Sequence, residues 1–575
     1  MGDVLFLILR RMRAPLIVLI IAYTVAVFGL ALMPGQLPDG TPAKLSIFHA
    51  FYVVSFTATT IGFGEIPYPF SDAQRLWMIV VIYLTVVGWT YTLGAIFRLS
   101  SDRTFRAAVA QSMFAWRVRN IGQQFFIICG YGQSGKQLAK ALDAMGYRLV
   151  VIELRADRAS RLEIEDLSMP ANVLCADARF PDVLTEAGIN RPECCGLLAL
   201  TSSDDANQTI AIGAHTLRPE LPVIVRAKTE VAQTNLAAFG GVEVINPFQT
   251  FANNIALDLD APDVLRLEEW LTGSPGSECP DRLGLPRGAW VIVGYGRFGR
   301  AIGNVLDARG IAWQAVDQHA VADLPLHRVI VDDDTEHALH GVGIESAAVV
   351  VAGTDNDATN LAITTLARRA NPKIFTIIRQ NHIADRVLIN AAKADLAFVQ
   401  ADIMVHECLQ LITVPLLRVL LKRVAEDGAD TATNILETIQ DSLGTIAPRA
   451  WRFHCDVMQP GMFAALFQNN GRPFRISHLQ TDPVHTNEPL ACIPLMLVRH
   501  GVIGILPESD TALQSGDEIL FVGAAQAQRR QLRFLTDANA AQFVHTGVEV
   551  PRSWLFRYLQ KRRQARRNHA AKSDS

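Results

Sequence analysis

Two glycine-spaced segments carry the clearest chemistry in this 575-residue sequence. Gly130-Tyr131-Gly132-Gln133-Ser134-Gly135 follows the apolar run Phe125 to Cys129 and precedes a helical pattern through Ala144. Gly294-Tyr295-Gly296-Arg297-Phe298-Gly299 follows Trp290 to Val293 in the same way. Glycines at this spacing let backbone amides approach a phosphate, and the helix that follows adds the partial positive charge of its N-terminus. An acid stands 23 residues after the first glycine in both segments, Glu153 and Asp317, where a carboxylate can accept hydrogen bonds from ribose hydroxyls. Glu153 favours an unphosphorylated ribose, hence NAD(H) or another adenine nucleotide, while Arg155 just beyond keeps NADP within reach. Either copy can also be an empty structural unit of the same fold.

Positioning these groups takes a strand, a turn, a helix and a second strand, and the surrounding sequence repeats that pattern. Val173-Leu174-Cys175-Ala176-Asp177 matches Val329-Ile330-Val331-Asp332-Asp333, DDANQTIAI (204–212) matches DNDATNLAI (355–363), and VIVRAKT (223–229) matches TIIRQNH (376–382). The chain contains an internal duplication. Each copy alternates strands and helices, which predicts a parallel sheet covered on both faces. The first site is Gly130, Gly132 and Gly135 at phosphate, Glu153 at ribose and Asp177 nearby; the second is Gly294, Gly296, Gly299 and Asp317.

The first hundred residues follow another logic. Residues 16–33 and 76–97 carry no charge, and as helices they span roughly 27 and 33 Å, close to the hydrocarbon thickness of a bilayer. Arg10, Arg11 and Arg13 precede the first segment and Arg98, Arg103 and Arg106 follow the second, which places both ends in the cytoplasm. Between them, residues 45–58 are apolar enough for a short helix within the membrane and run into Thr59-Thr60-Ile61-Gly62-Phe63-Gly64-Glu65. Non-helical backbone at that depth is tolerated only where it lines a water-filled path or is buried in protein.

Composition narrows the classes. With 50% hydrophobic and 19% charged residues the chain is not disordered as a whole, and 53 Lys+Arg against 56 Asp+Glu leave no electrostatic footprint for nucleic acid. Eight cysteines without a CxxC pair argue against a disulfide scaffold or a zinc ribbon. Asp332, Asp333, Asp334, Glu336, His337 and His340 offer ligands to a divalent cation, with solvated loop acids the plainer reading; the metal stays unknown. Basic residues between 557 and 567 are placed either in solvent or against anionic lipid.

Thr60 to Glu65 resembles the TVGYGD signature of potassium channels, with Phe63 in place of tyrosine and Glu65 in place of aspartate. The duplicated unit resembles RCK domains, also called KTN or TrkA-N domains. Together they resemble a prokaryotic two-transmembrane-helix potassium channel with two RCK domains per subunit. The implied fold is an α-helical two-helix pore domain with pore helix and selectivity filter, two tandem α/β Rossmann-like RCK domains and a small α+β C-terminal lobe. The implied boundaries are a pore at 1–99, a linker at 100–124, RCK domains at 125–286 and 287–427, a C-lobe at 428–545 and a basic tail at 546–575. Crossover helices are expected from Pro247 to about Gly273 and from Ala401 to Val424, and a strand pair is expected to turn at His500-Gly501.

By the same resemblance Thr60, Ile61, Gly62, Phe63 and Gly64 line a K⁺ path, Gly88 is a gating hinge, and four chains form a homotetramer in the cell membrane with eight RCK units. Its ring would sense NAD(H) or an adenine nucleotide and, in some relatives, a divalent cation. A soluble regulator of a potassium transporter also carries paired nucleotide units but lacks a filter. A nicotinamide-dependent dehydrogenase shares the glycine fingerprint, yet no catalytic constellation is evident, so the expectation is a channel and not an enzyme.

Overall fold

The computed structural model describes residues 2–37, 40–273, 277–319, 328–332, 334–459, 461–462, 466, 473–485 and 488–546. They fall into two compact units, residues 1–128 with 146–196 and residues 129–145 with 197–575.

In the first unit, α1 (Gly2–Leu32), α2 (Ile47–Ala58), α3 (Asp72–Ser101) and α4 (Arg103–Arg119) precede the first sheet. Two stretches are long and apolar enough to cross a membrane, Met12–Leu32 and Asp72–Ser101. Pro15 does not start the first helix: α1 runs through it, because the residues ahead of it are themselves good helix formers. The short apolar helix α2 begins at Ile47, where the Ser46 hydroxyl accepts the His49 amide. Ser71 and Gln74 form a reciprocal cap that starts α3 ahead of its apolar stretch. The spanning helices touch at Gly29, where an added Cβ would lie 2.1 Å from the Trp77 ring, and Trp77 Nε1 donates to the Ala26 carbonyl at 3.2 Å. The segment expected as a polar connector is largely the helix α4, and its opening turn accepts the Phe105 amide on Asp102.

The first six-stranded sheet contains β3 (Phe125–Cys129), β4 (Arg148–Glu153), β5 (Asn172–Cys175), β6 (Cys194–Ala199), β7 (Val223–Arg226) and β8 (Val242–Ile245), in the order β5-β4-β3-β6-β7-β8. β1 (Pro34–Gln36) and β2 (Pro42–Lys44) form a small hairpin ahead of α2. The second sheet repeats the order as β11-β10-β9-β12-β13-β14, with β9 (Trp290–Val293), β10 (Trp313–Asp317), β11 (Val329–Val331), β12 (Val349–Ala352), β13 (Phe375–Gln380) and β14 (Leu396–Val399). Both have the doubly wound order in which the first strand sits at the reversal point, where ligands bind beyond the strand ends.

Each crossover is two helices meeting at a proline: Pro247–Asp260 with Pro262–Thr272, and Gln400–Thr413 with Pro415–Asp427, the latter pair bent by 110°. The first of them leaves its own copy. Phe248 and Phe251 lie in the core of the second sheet with Phe298 and Phe398, ring centroids 5.1 Å apart for Phe251 and Phe398. In return, helix Gln400–Thr413 packs on α5 (Gln133–Ala144), and Gln137 Nε2 donates to Asp402 at 3.1 Å.

The C-terminal lobe is an antiparallel sheet, β15-β18-β16-β17, of β15 (Arg449–His454), β16 (Cys492–Arg499), β17 (Val502–Ile505) and β18 (Glu518–Gly523). His500 and Gly501 have φ of 50° and 80°, the two-residue turn whose twist suits a hairpin. One core joins this sheet to both crossovers through Leu267, Trp270, Leu420 and Ile435.

Candidate filter and nucleotide cavity

Between α2 and α3 the backbone alternates in hand. Thr60, Gly62 and Gly64 have φ of 62°, 67° and 93°, whereas Ile61 and Phe63 do not enter that region. Alternation of this kind turns successive carbonyls to the same side, the geometry needed to replace a cation's water shell. The end of α2 holds the segment, with the Thr60 amide on the Thr57 carbonyl at 3.0 Å and the Ile61 amide on the Phe56 carbonyl at 2.9 Å.

Phe63 has no hydroxyl to donate and is braced by rings instead. It stands edge-on to Phe56 at 5.6 Å and stacks near Tyr52 at 6.5 Å. Glu65 takes two hydrogen bonds from the Arg75 guanidinium, at 2.8 and 3.1 Å, and a third from the Phe70 amide at 2.8 Å. That charged fork fixes the outer end of the segment to the start of α3.

In the second copy three of the four predicted residues line one cavity, and the fourth, Gly299, packs against the turn. A cavity of about 670 Å³ beyond the ends of β9, β10 and β12 is lined by Gly294, Gly296 and Asp317, with Arg297, Thr354 and Arg379. The glycines serve different ends. A Cβ on Gly299 would lie 2.5 Å from the Gly294 carbonyl oxygen, so that glycine lets helix Arg297–Ala308 sit close on the turn. Gly296 caps the same helix, and nothing lies within 4 Å of where its Cβ would be, so its backbone is open to a ligand. Asp317 accepts the Tyr295 amide at 2.8 Å on one oxygen and the His319 amide at 3.1 Å on the other.

The cavity's far wall depends on a residue that glycine spacing does not reveal. Asn360 is fully buried; its carbonyl accepts the amide and hydroxyl of Thr354 at 2.9 and 2.6 Å, and its amide donates to the carbonyls of Thr354 and Arg379 at 3.0 and 2.8 Å. Asn207 makes the same set with Thr201 and Arg226 in the first copy. These bonds correct the alignment of 204–212 with 355–363: Asp204 corresponds to Asp357 and not to Asp355, since each caps the strand-end amides of its own copy. Asn360→Ala strands several buried polar groups, each costing about 1–3 kcal/mol. A loss of about 3 kcal/mol in the denaturant-induced unfolding of the full chain is expected, with nucleotide affinity falling in parallel.

The first copy's candidates divide between the two compact units. Gly130 (φ 99°), Gly132 and Gly135 lie in the second unit, where a Cβ on Gly130 would meet the Thr201 backbone at 3.0 Å and Gly132 caps α5. Glu153 and Asp177 lie in the first. Glu153 ends β4, is 5% exposed and accepts the Arg155 amide at 2.9 Å. Asp177 pairs with Arg179 at 2.6 Å, and that guanidinium holds its carboxyl below the usual carboxylate range.

The metal candidates do not converge. Among the described residues no group of three or more His, Cys, Asp or Glu side chains is arranged to hold an ion. His337 pairs with Asp332 at 2.6 Å, His340 with Glu345, and Asp334 caps a helix. Asp333 and the basic tail from residue 547 lie outside the described residues.

The TrkA-N domain model matches residues 126–247 and 290–400. Potassium channel protein 1 of Methanocaldococcus jannaschii is 28% identical over 38% of this chain and 64% of its own length. The voltage-gated potassium channel Kch of Escherichia coli is 26% identical over 36% of this chain and 46% of its own. The matches thus span less than two thirds of these relatives. Among solved structures, the GsuK channel aligns with a TM-score of 0.49 at 17% identity, over 92% of this chain and 99% of that one. Two TrkA-N domain matches thus fall on the two doubly wound sheets, which follow two helices long and apolar enough to cross a membrane.

Proposed function

We propose that the chain is the subunit of a homotetrameric, potassium-selective channel of the cell membrane, with both termini cytoplasmic, gated by nucleotide. The observation that carries this reading is the alternating backbone at Thr60, Gly62 and Gly64 between two membrane-length helices. One chain supplies one such segment, and a ring of carbonyls around an ion needs several. Ile61 and Phe63 are each 60% exposed on the single chain, as faces awaiting neighbouring subunits are. The proposed ligand is NAD(H) or an adenine nucleotide at the two glycine turns, with the acids Glu153 and Asp317 at ribose. The duplicated units then act as sensors and not as an enzyme. A divalent cation is not part of the proposal.

Gly88 is the proposed gate hinge. α3 continues through it, and a Cβ there would make only ordinary 3.7 Å contacts with Ala22 and Leu19, so packing does not demand glycine. The Thr92 hydroxyl donates back to the Gly88 carbonyl at 2.8 Å, a bond that loosens a helix locally.

The route from sensor to gate is α4. Its Phe114 and Val118 are buried, the Arg191 guanidinium donates to the carbonyls of Val118 and Ile121, and Gln111 donates to Glu186 at 2.8 Å. Moving a gate from 1:99 to 99:1 takes about 5.5 kcal/mol, or on average roughly 0.7 kcal/mol from each of eight sites, two per chain. A stiff connector is enough to deliver that. In proteoliposomes the protein should pass K⁺ and Rb⁺ far better than Na⁺, and equal permeation of K⁺ and Na⁺ refutes the reading. A Gly-Ser insertion after Arg106 should leave selectivity and nucleotide affinity intact while single-channel recording shows ligand modulation lost; full modulation in that variant would rule out α4 as the route.

A further inference from the structure

The segment between α2 and α3 is held unevenly. Its inner half hangs on α2, where the amides of Thr60, Ile61 and Gly62 donate to the carbonyls of Thr57, Phe56 and Phe56 at 3.0, 2.9 and 3.4 Å. Its outer half has no such ladder. Among the described residues the amides of Phe63, Gly64 and Glu65 make no hydrogen bond, and nothing lies within 4 Å of a Cβ added to Gly64. The Phe63 ring touches Phe56 and Tyr52, but a ring contact carries no hydrogen bond to fix which way the next carbonyl points. The remaining hold is the Glu65 carboxylate, which accepts the Arg75 fork at 2.8 and 3.1 Å and the amide of buried Phe70 at 2.8 Å.

Arg75 is out of place for helix stability alone. It stands in the opening turn of α3, where a cation meets the positive end of the helix dipole, and the Glu65 carboxylate offsets that repulsion. The ground under it is firm: the Ser71 hydroxyl donates to the Pro34 carbonyl at 2.5 Å, and Trp77 Nε1 to the Ala26 carbonyl at 3.2 Å. The pair itself adds little to folding, because its side chains are 53% and 35% exposed and solvent-facing ion pairs contribute little. A fork of two parallel bonds does fix direction, and direction is what a ring of carbonyls requires.

We propose that Glu65 and Arg75 are the positioning pair for ion selectivity, holding the outer half of the segment from the start of α3 so that the Phe63 and Gly64 carbonyls face the path. This rests on the reading of residues 60–64 as a filter. The helix that carries the proposed hinge at Gly88 then also aims the outer carbonyls, a task that α2 performs only for the inner ones.

The full-length chain in planar bilayers tests this through the K⁺ to Na⁺ permeability ratio, taken from reversal potentials, for wild type, Glu65→Gln, Arg75→Met and the double variant. Gel filtration and the thermal midpoint of each accompany it. Each single variant should lower the ratio at least tenfold with assembly and midpoint unchanged, and the double should fall no further than the worse single, because the two side chains act through one contact. Arg75→Lys, which keeps the charge and loses the fork, should recover only part of the ratio. Wild-type ratios in both single variants overturn the pair and spare the filter reading. Losses that multiply in the double variant mean two separate roles and overturn the pair as well, as does failure of both single variants to assemble, which would make the contact a structural tie. A wild type that passes Na⁺ as readily as K⁺ refutes the filter reading, and the pair with it.

Discussion

Gly62→Ala is expected to abolish potassium flux while the protein still folds and assembles. The residue has φ of 67°, a conformation that costs an L-amino acid roughly 1–2 kcal/mol, and nothing in the chain lies within 4 Å of the added methyl. The cost therefore falls on the backbone alone, and the peptide can relieve it by turning a carbonyl away from the path. In a tetramer four such penalties fall on one ring, roughly 4–8 kcal/mol in total. Flux of ⁸⁶Rb⁺ into liposomes, alongside gel filtration of the variant, measures both halves of the claim. Wild-type flux in Gly62→Ala would mean that the ions take another path.

Gly296→Asp should remove nucleotide from the second cavity by about three orders of magnitude. Its φ is −77°, which aspartate adopts freely, and aspartate is a good cap for the helix it precedes, so the fold has no reason to suffer. What changes is a negative charge set where phosphate arrives. Two unit charges about 4 Å apart near a protein surface repel by roughly 4 kcal/mol. Titration with NAD and ADP should show one binding site per chain where wild type shows two, and the corresponding Gly132→Asp should remove the other. Two sites persisting in Gly296→Asp would place the ligand somewhere other than the glycine turn.

Features set by local sequence were readable before any coordinates. The short segment of alternating φ after α2, the two glycine turns, the doubly wound class and the His500-Gly501 turn depend on neighbours a few residues apart, so spacing alone reveals them. The exchange of crossover helices was not readable, because Phe248 meets Phe298 and Phe398 across 50 and 150 residues and any apolar helix face looks alike in sequence. The Gly29–Trp77 contact has the same character. The alignment slip at Asp355 has a different cause. Acids occupy both 355 and 357, and only the amides that each one accepts tell them apart.

The exchange of crossover helices within one polypeptide has an evolutionary consequence. When two identical chains build such a pair, every substitution is made twice and both halves must tolerate it. Joining the halves covalently lifts that constraint, and each can drift alone so long as the shared aromatic core is kept. The two copies already differ at their glycine turns: Gln133 opens one glycine helix where Arg297 opens the other, and Glu153 stands in one copy where Asp317 stands in the other. On the proposed gating reading, one polypeptide of this kind would report on two metabolites at once, and a gate that obeys both would act as a coincidence detector.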